Sequence, residues 1–178
     1  MFACTPASSS GLRTERLLDS IEALNEHIAA ADAALEKLTD TDVYKRLMTV
    51  PGVGPVTAVR FVAAVDDVTR FANAHALQSY LGLTPGEKSS GARVRRTGIT
   101  KAGSAAMRRI LVQAAWSAMY SKHRRNDPMV RWALKVKERR GHWIAAVALA
   151  RKIGGILFAL LRDGTRYDAS RGADKNVG

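Results

Sequence analysis

The residues best suited to covalent chemistry lie in a short polar segment near the middle of the chain. Ser89 and Ser90 stand directly before Gly91, and three arginines follow them: Arg93, Arg95 and Arg96. A serine hydroxyl is a weak nucleophile unless a base or a positive field stabilises its alkoxide, and guanidinium groups supply such a field while they hold a phosphate. The segment therefore allows attack on a phosphodiester, although Ser-Ser-Gly taken alone is most often an ordinary loop.

A glycine-rich turn between two predicted helices is the second constellation. Gly52, Val53 and Gly54 stand between Pro51 and Pro55. Glycines permit a tight turn and the close approach of a ligand, and the free N–H groups at the start of the next helix favour a phosphate. The pattern predicts a helix-hairpin-helix that binds the nucleic-acid backbone without reading its bases. The alternative is a turn that joins two helices for structural reasons only.

A basic helix is the third constellation. Helical periodicity predicts a helix from about Lys101 to Lys122, with Thr100 as its N-cap. Lys101 and Arg108 are seven residues apart, which places them on one helical face, and Arg109 adds a further charge. A basic face on an otherwise apolar helix suits contact with nucleic acid, unless it is simply solvated.

The charge of the chain favours a polyanionic partner. The 178 residues include 28 Lys+Arg and 16 Asp+Glu, for a net charge of +12. Residues 1–87 carry 7 basic and 11 acidic side chains, whereas residues 88–178 carry 21 basic and 5 acidic ones. A mixed-sign surface would serve solubility equally well, so this one-sided distribution predicts that the second half binds a polyanion such as nucleic acid.

The hydrophobic pattern predicts an all-α fold that begins with a coiled-coil helix over residues 12–42. Its apolar side chains recur at alternating spacings of four and three, which is a heptad seam. The members of the seam are Leu17, Ile21, Leu24, Ile28, Ala31, Leu35 and Leu38. We expect residues 17–38 to pair chains into a homo-oligomer or to pair within the chain. The alternative is one amphipathic helix packed on the core.

A helical domain that contains the helix-hairpin-helix is predicted over residues 43–163. Residues 1–11 are expected to be disordered, and residues 164–178 are expected to form a polar tail. Residues 84–100 are predicted to form a flexible basic loop, and no strand is predicted anywhere.

Several classes of site and location are excluded by composition. Cys4 is the only cysteine, so the chain has neither an internal disulfide nor a Cys-based zinc site, and its four histidines lack metal-ligand spacing. No metal site is predicted. The tract from Trp143 to Leu161 is interrupted by charges at Arg151 and Lys152, so it indicates a core helix instead of a membrane span. With no signal-peptide pattern at the start, we expect a cytoplasmic protein with no membrane partner.

Five short motifs follow one another between residues 51 and 116. They read Pro-Gly-Val-Gly (51–54), Leu-Gly-Leu-Thr-Pro (81–85), Ser-Ser-Gly (89–91), Gly-Ile-Thr-Lys-Ala-Gly-Ser (98–104) and Arg-Arg-Ile-Leu-Val-Gln-Ala-Ala-Trp (108–116). In this order they resemble the C-terminal transposase domain of the DEDD insertion-sequence transposases, also called bridge-RNA-guided recombinases. The resemblance covers about residues 44–160, and the heptad helix is similar to the coiled coil that precedes this domain in the family.

The resemblance implies DNA strand exchange with a serine nucleophile, and it leaves Ser89 and Ser90 as equal candidates. It also implies DNA as a partner and admits a guide RNA. Members of the family carry an N-terminal RNase H-like domain whose four acidic residues bind metal, and nothing in this sequence matches that domain. We therefore expect no cofactor in this chain, with Mg²⁺ belonging to the other domain. Because the family's active site is a composite of both domains, the resemblance implies that cleavage needs the second domain as well.

Two other functions stay open at this point. The chain is alternatively a non-catalytic nucleic-acid-binding module or transposase remnant, in which Ser89 and Ser90 belong to an ordinary loop. A third interpretation is an interaction protein built around the coiled coil, whose positive half binds an acidic partner. Only the leading interpretation predicts a covalent bond between a serine and DNA.

Overall fold

The computed structural model describes residues 9–90 and 93–170, while the side chains of residues 9–10 and 87–97 lie outside the described part. Cys4, Gly91, most of the predicted disordered N-terminus and the end of the predicted tail also lie outside it. Helices predominate, as predicted. The described helices are α1 (Ser9–Leu38), α2 (Asp42–Leu47), α3 (Pro55–Val65), α4 (Ala74–Tyr80), α5 (Ala105–Tyr120), α6 (Pro128–Arg140) and α7 (His142–Asp163), with 3₁₀ turns at Val68–Arg70 and Lys122–Arg124.

The chain divides into two units after Leu38, and helix α1 makes up the described part of the first. It begins three residues before the predicted coiled-coil segment and ends four residues before the end of that segment. Five leucine and isoleucine side chains of the heptad seam are more than half exposed: Leu17 (64%), Ile21 (52%), Leu24 (59%), Ile28 (57%) and Leu38 (59%). A row of exposed apolar side chains is what a pairing helix presents, and the pairing itself stays a prediction.

Helix α7 is the centre of the second unit, and helices α4, α5 and α6 all pack against it. Its inward face alternates small residues such as Ala146, Ala150 and Gly154 with larger ones such as Ile153 and Phe158, all buried. Small residues at helix contacts let backbones approach closely, while the larger ones fill the space between them. The helix is long and apolar enough to cross a membrane, yet half of its most apolar window is buried inside this domain. That packing agrees with the core helix that the sequence predicts.

The helix boundaries follow from capping side chains and prolines. Asn73 accepts a hydrogen bond from the backbone N–H of Ala76, and Asp127 accepts one from that of Met129 at 2.8 Å. Such caps satisfy N–H groups that a first helical turn leaves unpaired. Pro55 and Pro128 occupy first-turn positions, where the missing N–H costs nothing.

The predicted start of helix α5 is wrong by four residues. Thr100 lies before the helix, and the cap is Ser104, whose hydroxyl accepts from the N–H of Met107 at 3.2 Å. Lys101 has a φ of 58°, which is left-handed and incompatible with a helix. Lys101 and Arg108 therefore do not share a helical face, because only Arg108 is in the helix.

The prediction that residues 84–100 form a loop without strands is also wrong. Strands β1 (Pro85–Ser90) and β2 (Arg93–Ile99) pair antiparallel, with a register irregularity between Pro85 and Glu87. The sequence conceals this hairpin because it lacks the alternating apolar positions that normally indicate a strand. Backbone hydrogen bonds can hold such a ribbon where no hydrophobic face is available to mark it.

The segment that follows α7 is fastened to the domain by Tyr167. Its hydroxyl donates to the carboxylate of Asp127, 3.0 Å from each oxygen, and its N–H donates to the hydroxyl of Thr49 at 3.0 Å. Burial, and after it the charge of Asp127, raises the pKa of Tyr167 above its ordinary value. The start of the predicted polar tail is therefore ordered as far as this residue.

Candidate nucleic-acid interface

The β-hairpin holds both candidate nucleophiles at the end of strand β1. Its cross-strand partners are Pro85–Ile99, Glu87–Arg96, Lys88–Arg95, Ser89–Val94 and Ser90–Arg93. In an antiparallel pair, positions opposite each other and positions two apart lie on the same face of the ribbon. The position of Ser90 thus shares one face with Lys88, Arg93 and Arg95. The hairpin brings together three basic positions around one of the two serines.

Ser89 occupies the other face of the ribbon. Its position is opposite Val94 and two residues from Glu87, which pairs with Arg96. The positions grouped with Ser89 thus include one acidic and one basic residue type, whereas those grouped with Ser90 are all basic. The register separates two serines that the sequence treats as equivalent.

The base of the hairpin is clamped by two glycines. A Cβ on Gly82 would lie 1.9 Å from the carbonyl oxygen of Ala102, and a Cβ on Gly103 would lie 1.9 Å from that of Tyr80. Both glycines have positive φ, at 66° and 88°. The N–H of Lys101 donates to the carbonyl of Gly82 at 3.2 Å, which ties the two chain segments together. The second and fourth sequence motifs therefore build the support of the hairpin.

Arg108 completes this support. Its Nη1 lies 3.3 Å from the carbonyl oxygen of Leu81, 3.2 Å from that of Ala102 and 3.0 Å from that of Gly103. The half-buried guanidinium thus bridges both segments at the base of the hairpin. A contact between Arg108 and DNA stays a prediction, while the structure gives this side chain a supporting role that the sequence did not reveal.

Arg109 and Lys101 are placed differently from Arg108. Arg109 is exposed on α5, and Lys101 is exposed directly after the hairpin. Neither side chain forms a hydrogen bond or an ion pair with the described residues. Both cations are therefore accessible to a polyanion.

The turn that contains Gly52, Val53 and Gly54 connects α2 to α3 and lies against α5. Gly52 has a φ of 83°, and a Cβ there would lie 2.1 Å from the carbonyl oxygen of Ala114. Val53 is buried, whereas a Cβ on Gly54 would meet no atom within 4 Å. Gly52 and Val53 therefore pack the turn onto the domain, and Gly54 is the glycine at which the backbone is open.

A concavity of about 490 Å³ lies beside this turn, at the start of α3. Gly54 and Thr57 line it from α3, and Gln113, Ser117 and Arg124 line it from α5 and the following turn. The N-cap residue of α3 is Gly54, which has no side chain that could accept hydrogen bonds from the first N–H groups of the helix. A cation and a helix N-terminus on the same concavity suit an anion.

A basic segment at residues 122–140 was not singled out from the sequence. It holds eight basic residues and two acidic ones, and it joins the end of α5 to the end of α6. Within the described part of the chain, none of these cations forms an ion pair. The sequence signal for this segment is the pair of basic runs Lys-His-Arg-Arg and Lys-Glu-Arg-Arg.

Metal ligands are not grouped in the described part of the chain. No three or more His, Cys, Asp or Glu side chains there lie close enough together to hold a metal ion. The described surface offers cations and backbone N–H groups that suit an anion.

Comparison with known proteins shows which proteins this chain is similar to. Residues 44–131 match the model of the transposase IS116/IS110/IS902 family. The chain is related to these transposases. The matched range begins just before the turn that holds Gly52, includes the whole hairpin and α5, and ends early in α6.

Individual relatives extend the similarity beyond the family match. The chain is 31% identical over 163 residues to a probable family 20 transposase of Pseudomonas aeruginosa, an alignment that covers 91% of this chain and 48% of that protein. It is 32% identical to the transposase for insertion sequence element IS1111A of Coxiella burnetii, over 87% of this chain and 41% of that protein. It is 33% identical to an uncharacterized 43.6 kDa protein of insertion element IS110 from Streptomyces coelicolor, over 86% and 37%. The chain thus matches less than half the length of each of these relatives.

Proposed function

We propose that this chain is the DNA-engaging segment of an insertion-sequence transposase and acts in DNA transposition. The observation that carries the proposal is the hairpin, whose register puts the position of Ser90 opposite Arg93 and beside Lys88 and Arg95. This hairpin lies inside the range that matches the transposase family. Relatives named as transposases, including one for an insertion sequence element, support the same activity.

The proposed DNA surface joins three groups of cations. The hairpin contributes Arg93, Arg95 and Arg96, and the adjoining part of the domain contributes Lys101 and Arg109. The concavity beside Gly54 adds Arg124 and the start of α3, where backbone N–H groups would receive a phosphate. Because all these groups recognise phosphates, they position DNA without reading its sequence.

The proposed reaction at the hairpin is an exchange of phosphodiesters. The hydroxyl oxygen of Ser90 attacks a DNA phosphorus, one Ser–O–P bond forms, and the bond from phosphorus to a deoxyribose oxygen breaks. The proton of the serine ends on the released sugar hydroxyl. Attack by a hydroxyl of a second strand reverses these steps and frees the serine. One phosphodiester replaces another, so the exchange needs no external energy source, and arginines stabilise the charge on the phosphorane oxygens.

Ser90 is preferred over Ser89 because of the charge around each position. A positive field lowers the cost of forming the alkoxide, and the face of Ser90 carries Lys88, Arg93 and Arg95. The family resemblance assigns Mg²⁺ to an RNase H-like domain, and the described residues include no cluster of carboxylate, His or Cys side chains that could hold it. We propose that the chain acts together with such a domain.

A covalent-adduct assay tests the chemistry. The full chain is incubated with a nicked suicide substrate, alone and with an RNase H-like domain supplied, and adducts are separated by denaturing electrophoresis. With the RNase H-like domain supplied, we expect an adduct with wild type and with Ser89→Ala, and none with Ser90→Ala. Loss of the adduct in Ser89→Ala alone would reverse the assignment of the nucleophile.

A salt titration tests DNA binding separately from the chemistry. With about six phosphate contacts, duplex affinity should fall about a thousandfold between roughly 50 and 200 mM salt. Steep salt dependence without an adduct under any condition would leave the second candidate function, a non-catalytic nucleic-acid-binding module. A flat salt dependence would contradict both.

A further inference from the structure

Four aromatic side chains form one cluster where α5 ends and α7 begins. The rings of Trp116 and Tyr120 are stacked, with centroids 5.3 Å apart and planes 7° apart. Trp143 packs across Trp116 at 74°, with a centroid distance of 5.3 Å, and His142 contacts both indoles. These four residues are called the aromatic cluster below.

The aromatic cluster faces solvent to an unusual degree. Trp143 is 67% exposed and Tyr120 is 59% exposed. Core packing does not account for them, because helix α7 buries other residues against the domain and leaves Trp143 outside. Large exposed aromatic surface of this kind is typical of a binding site, since rings bring much apolar area at little cost in conformational entropy.

The surroundings of the aromatic cluster are basic. The ammonium group of Lys137 lies 5.4 Å from the centroid of the Tyr120 ring, and Arg139 and Arg140 follow in the last turn of α6. On the other side of the cluster, Trp143 and Trp132 line a groove of about 1190 Å³. The ammonium group of Lys152 lies 4.7 Å from the centroid of the Trp132 ring. Among the described residues, the lining of the groove includes Lys101 and Arg151 and no acidic residue.

We propose that the aromatic cluster stacks an unpaired nucleobase, with Trp143 as the stacking platform and the cations on either side holding the flanking phosphates. The inference rests on the proposed function, because it assumes that nucleic acid engages this domain. Aromatic rings set among cations are the arrangement by which proteins bind single-stranded nucleic acid without sequence preference. A duplex keeps its base faces covered by neighbouring bases, so only unpaired nucleotides can use the indole face.

Direct binding of single strands tests the proposal. Affinity of the full chain for a fluorescent oligo-dT, an oligo-rU and a duplex of equal length is measured by anisotropy, and intrinsic tryptophan fluorescence is followed in parallel. The wild type should bind both single strands and lose tryptophan fluorescence as bases stack. Trp143→Leu should weaken single-strand binding about tenfold, abolish most of the quenching and change duplex affinity less than twofold. The two single strands distinguish DNA from RNA as the source of the base.

Matched variants separate stacking from simple apolar contact. Ile144→Ala removes an exposed apolar side chain next to Trp143 and should leave single-strand affinity within twofold of the wild type. Trp143→Phe keeps an aromatic ring at the platform, so its single-strand affinity should lie between those of the wild type and Trp143→Leu. Thermal unfolding of each variant excludes misfolding as the cause of a loss.

The outcomes distinguish this inference from the proposed function. Salt-sensitive duplex binding with no effect of Trp143→Leu on single strands would overturn the stacking site and leave the proposed function intact. Equal losses for single strands and duplex would also overturn it, because the cluster would then not select unpaired bases. A change in oligomeric state with unchanged single-strand affinity would identify the surface as an interface between copies. If the chain bound neither the single strands nor the duplex, both proposals would be overturned.

Discussion

The guanidinium Nη1 of Arg108 lies 3.3 Å from the carbonyl oxygen of Leu81, a residue 27 positions earlier in the chain. Two further carbonyl oxygens, those of Ala102 and Gly103, lie within 3.2 Å of the same nitrogen. One side chain of α5 therefore holds both ends of the segment from which the hairpin extends. The structure thus gives the charge of Arg108 a supporting role, while its contact with DNA stays a prediction.

Alanine variants of Arg108 and Arg109 should distinguish an arginine that supports the hairpin from one that binds DNA. Arg108→Ala leaves backbone carbonyls without their charged donor, so we expect the free energy of unfolding to fall by about 1–3 kcal/mol in urea titrations. Arg109→Ala removes an exposed cation that has no partner among the described residues, and stability should stay within about 0.5 kcal/mol. Duplex affinity, measured at low salt, should fall in Arg109→Ala. Equal stability of the two variants would contradict the supporting role of Arg108.

The two glycines of the α2–α3 turn should respond differently to alanine. In Gly52→Ala the new Cβ would lie 2.1 Å from the carbonyl oxygen of Ala114 at a φ of 83°, so we expect a loss of at least about 2 kcal/mol of unfolding free energy. Gly54→Ala adds a Cβ to open space in extended backbone and should change stability by less than about 1 kcal/mol.

DNA binding by the same pair of variants tests the role of the turn. If the backbone at Gly54 approaches a phosphate, Gly54→Ala should lower duplex affinity although the domain stays folded. Undiminished affinity in Gly54→Ala, with circular dichroism unchanged, would leave the turn a purely structural connection. Gly52→Ala is not informative about binding, because its effect on folding comes first.

The sequence predicted the helices better than the hairpin, and the reason is the range of the interactions. Helix α7 was recognisable because a long apolar tract with helical length must be buried somewhere. The hairpin was missed because its positions are polar and its support comes from contacts between residues about twenty positions apart, such as Gly82 with Ala102. Thr100 and Ser104 are both good N-caps by residue type, and only the left-handed backbone at Lys101 decides between them.

The arrangement of the candidate site also depends on contacts that the sequence does not reveal. Residue types were enough to select Ser89, Ser90 and the following arginines, but not to tell the serines apart. That distinction depends on strand register, and register depends on the turn and the irregularity near Pro85. The exposed state of Trp143 was likewise beyond the sequence, since a tryptophan in an apolar tract is normally expected to be buried.

Oligomerisation through α1 can be tested with one seam residue and one residue away from it. Leu24 belongs to the heptad seam and is 59% exposed, whereas Ala33 lies on the outer side of the heptad and is also exposed. A carboxylate in a coiled-coil seam is buried on pairing, so Leu24→Glu should shift the molar mass in sedimentation equilibrium toward monomer. Ala33→Glu should leave it unchanged. A wild-type chain that is monomeric at all concentrations would contradict the predicted pairing.

The contact between Tyr167 and Asp127 predicts a specific pH dependence of stability. The pKa of Tyr167 is raised in the folded chain, so above about pH 10 the unfolded chain loses the phenolic proton while the folded chain retains it. The folded state then binds more protons than the unfolded state, and the free energy of unfolding must fall as pH rises. The stabilisation is fully present below the ordinary tyrosine pKa and is lost above it.

Tyr167→Phe isolates this contribution from the other groups that titrate at alkaline pH. The variant lacks the hydroxyl that donates to Asp127, so we expect it to be less stable by about 1 kcal/mol at pH 8. Between about pH 9 and 11 its free energy of unfolding should fall less steeply than that of the wild type, and the two curves should converge. Tyr120→Phe is the matched control for removal of a phenol, because Tyr120 is exposed and lies outside the contact with Asp127. Parallel curves for wild type and Tyr167→Phe across this range would show that the raised pKa of Tyr167 does not contribute to the stability of the domain.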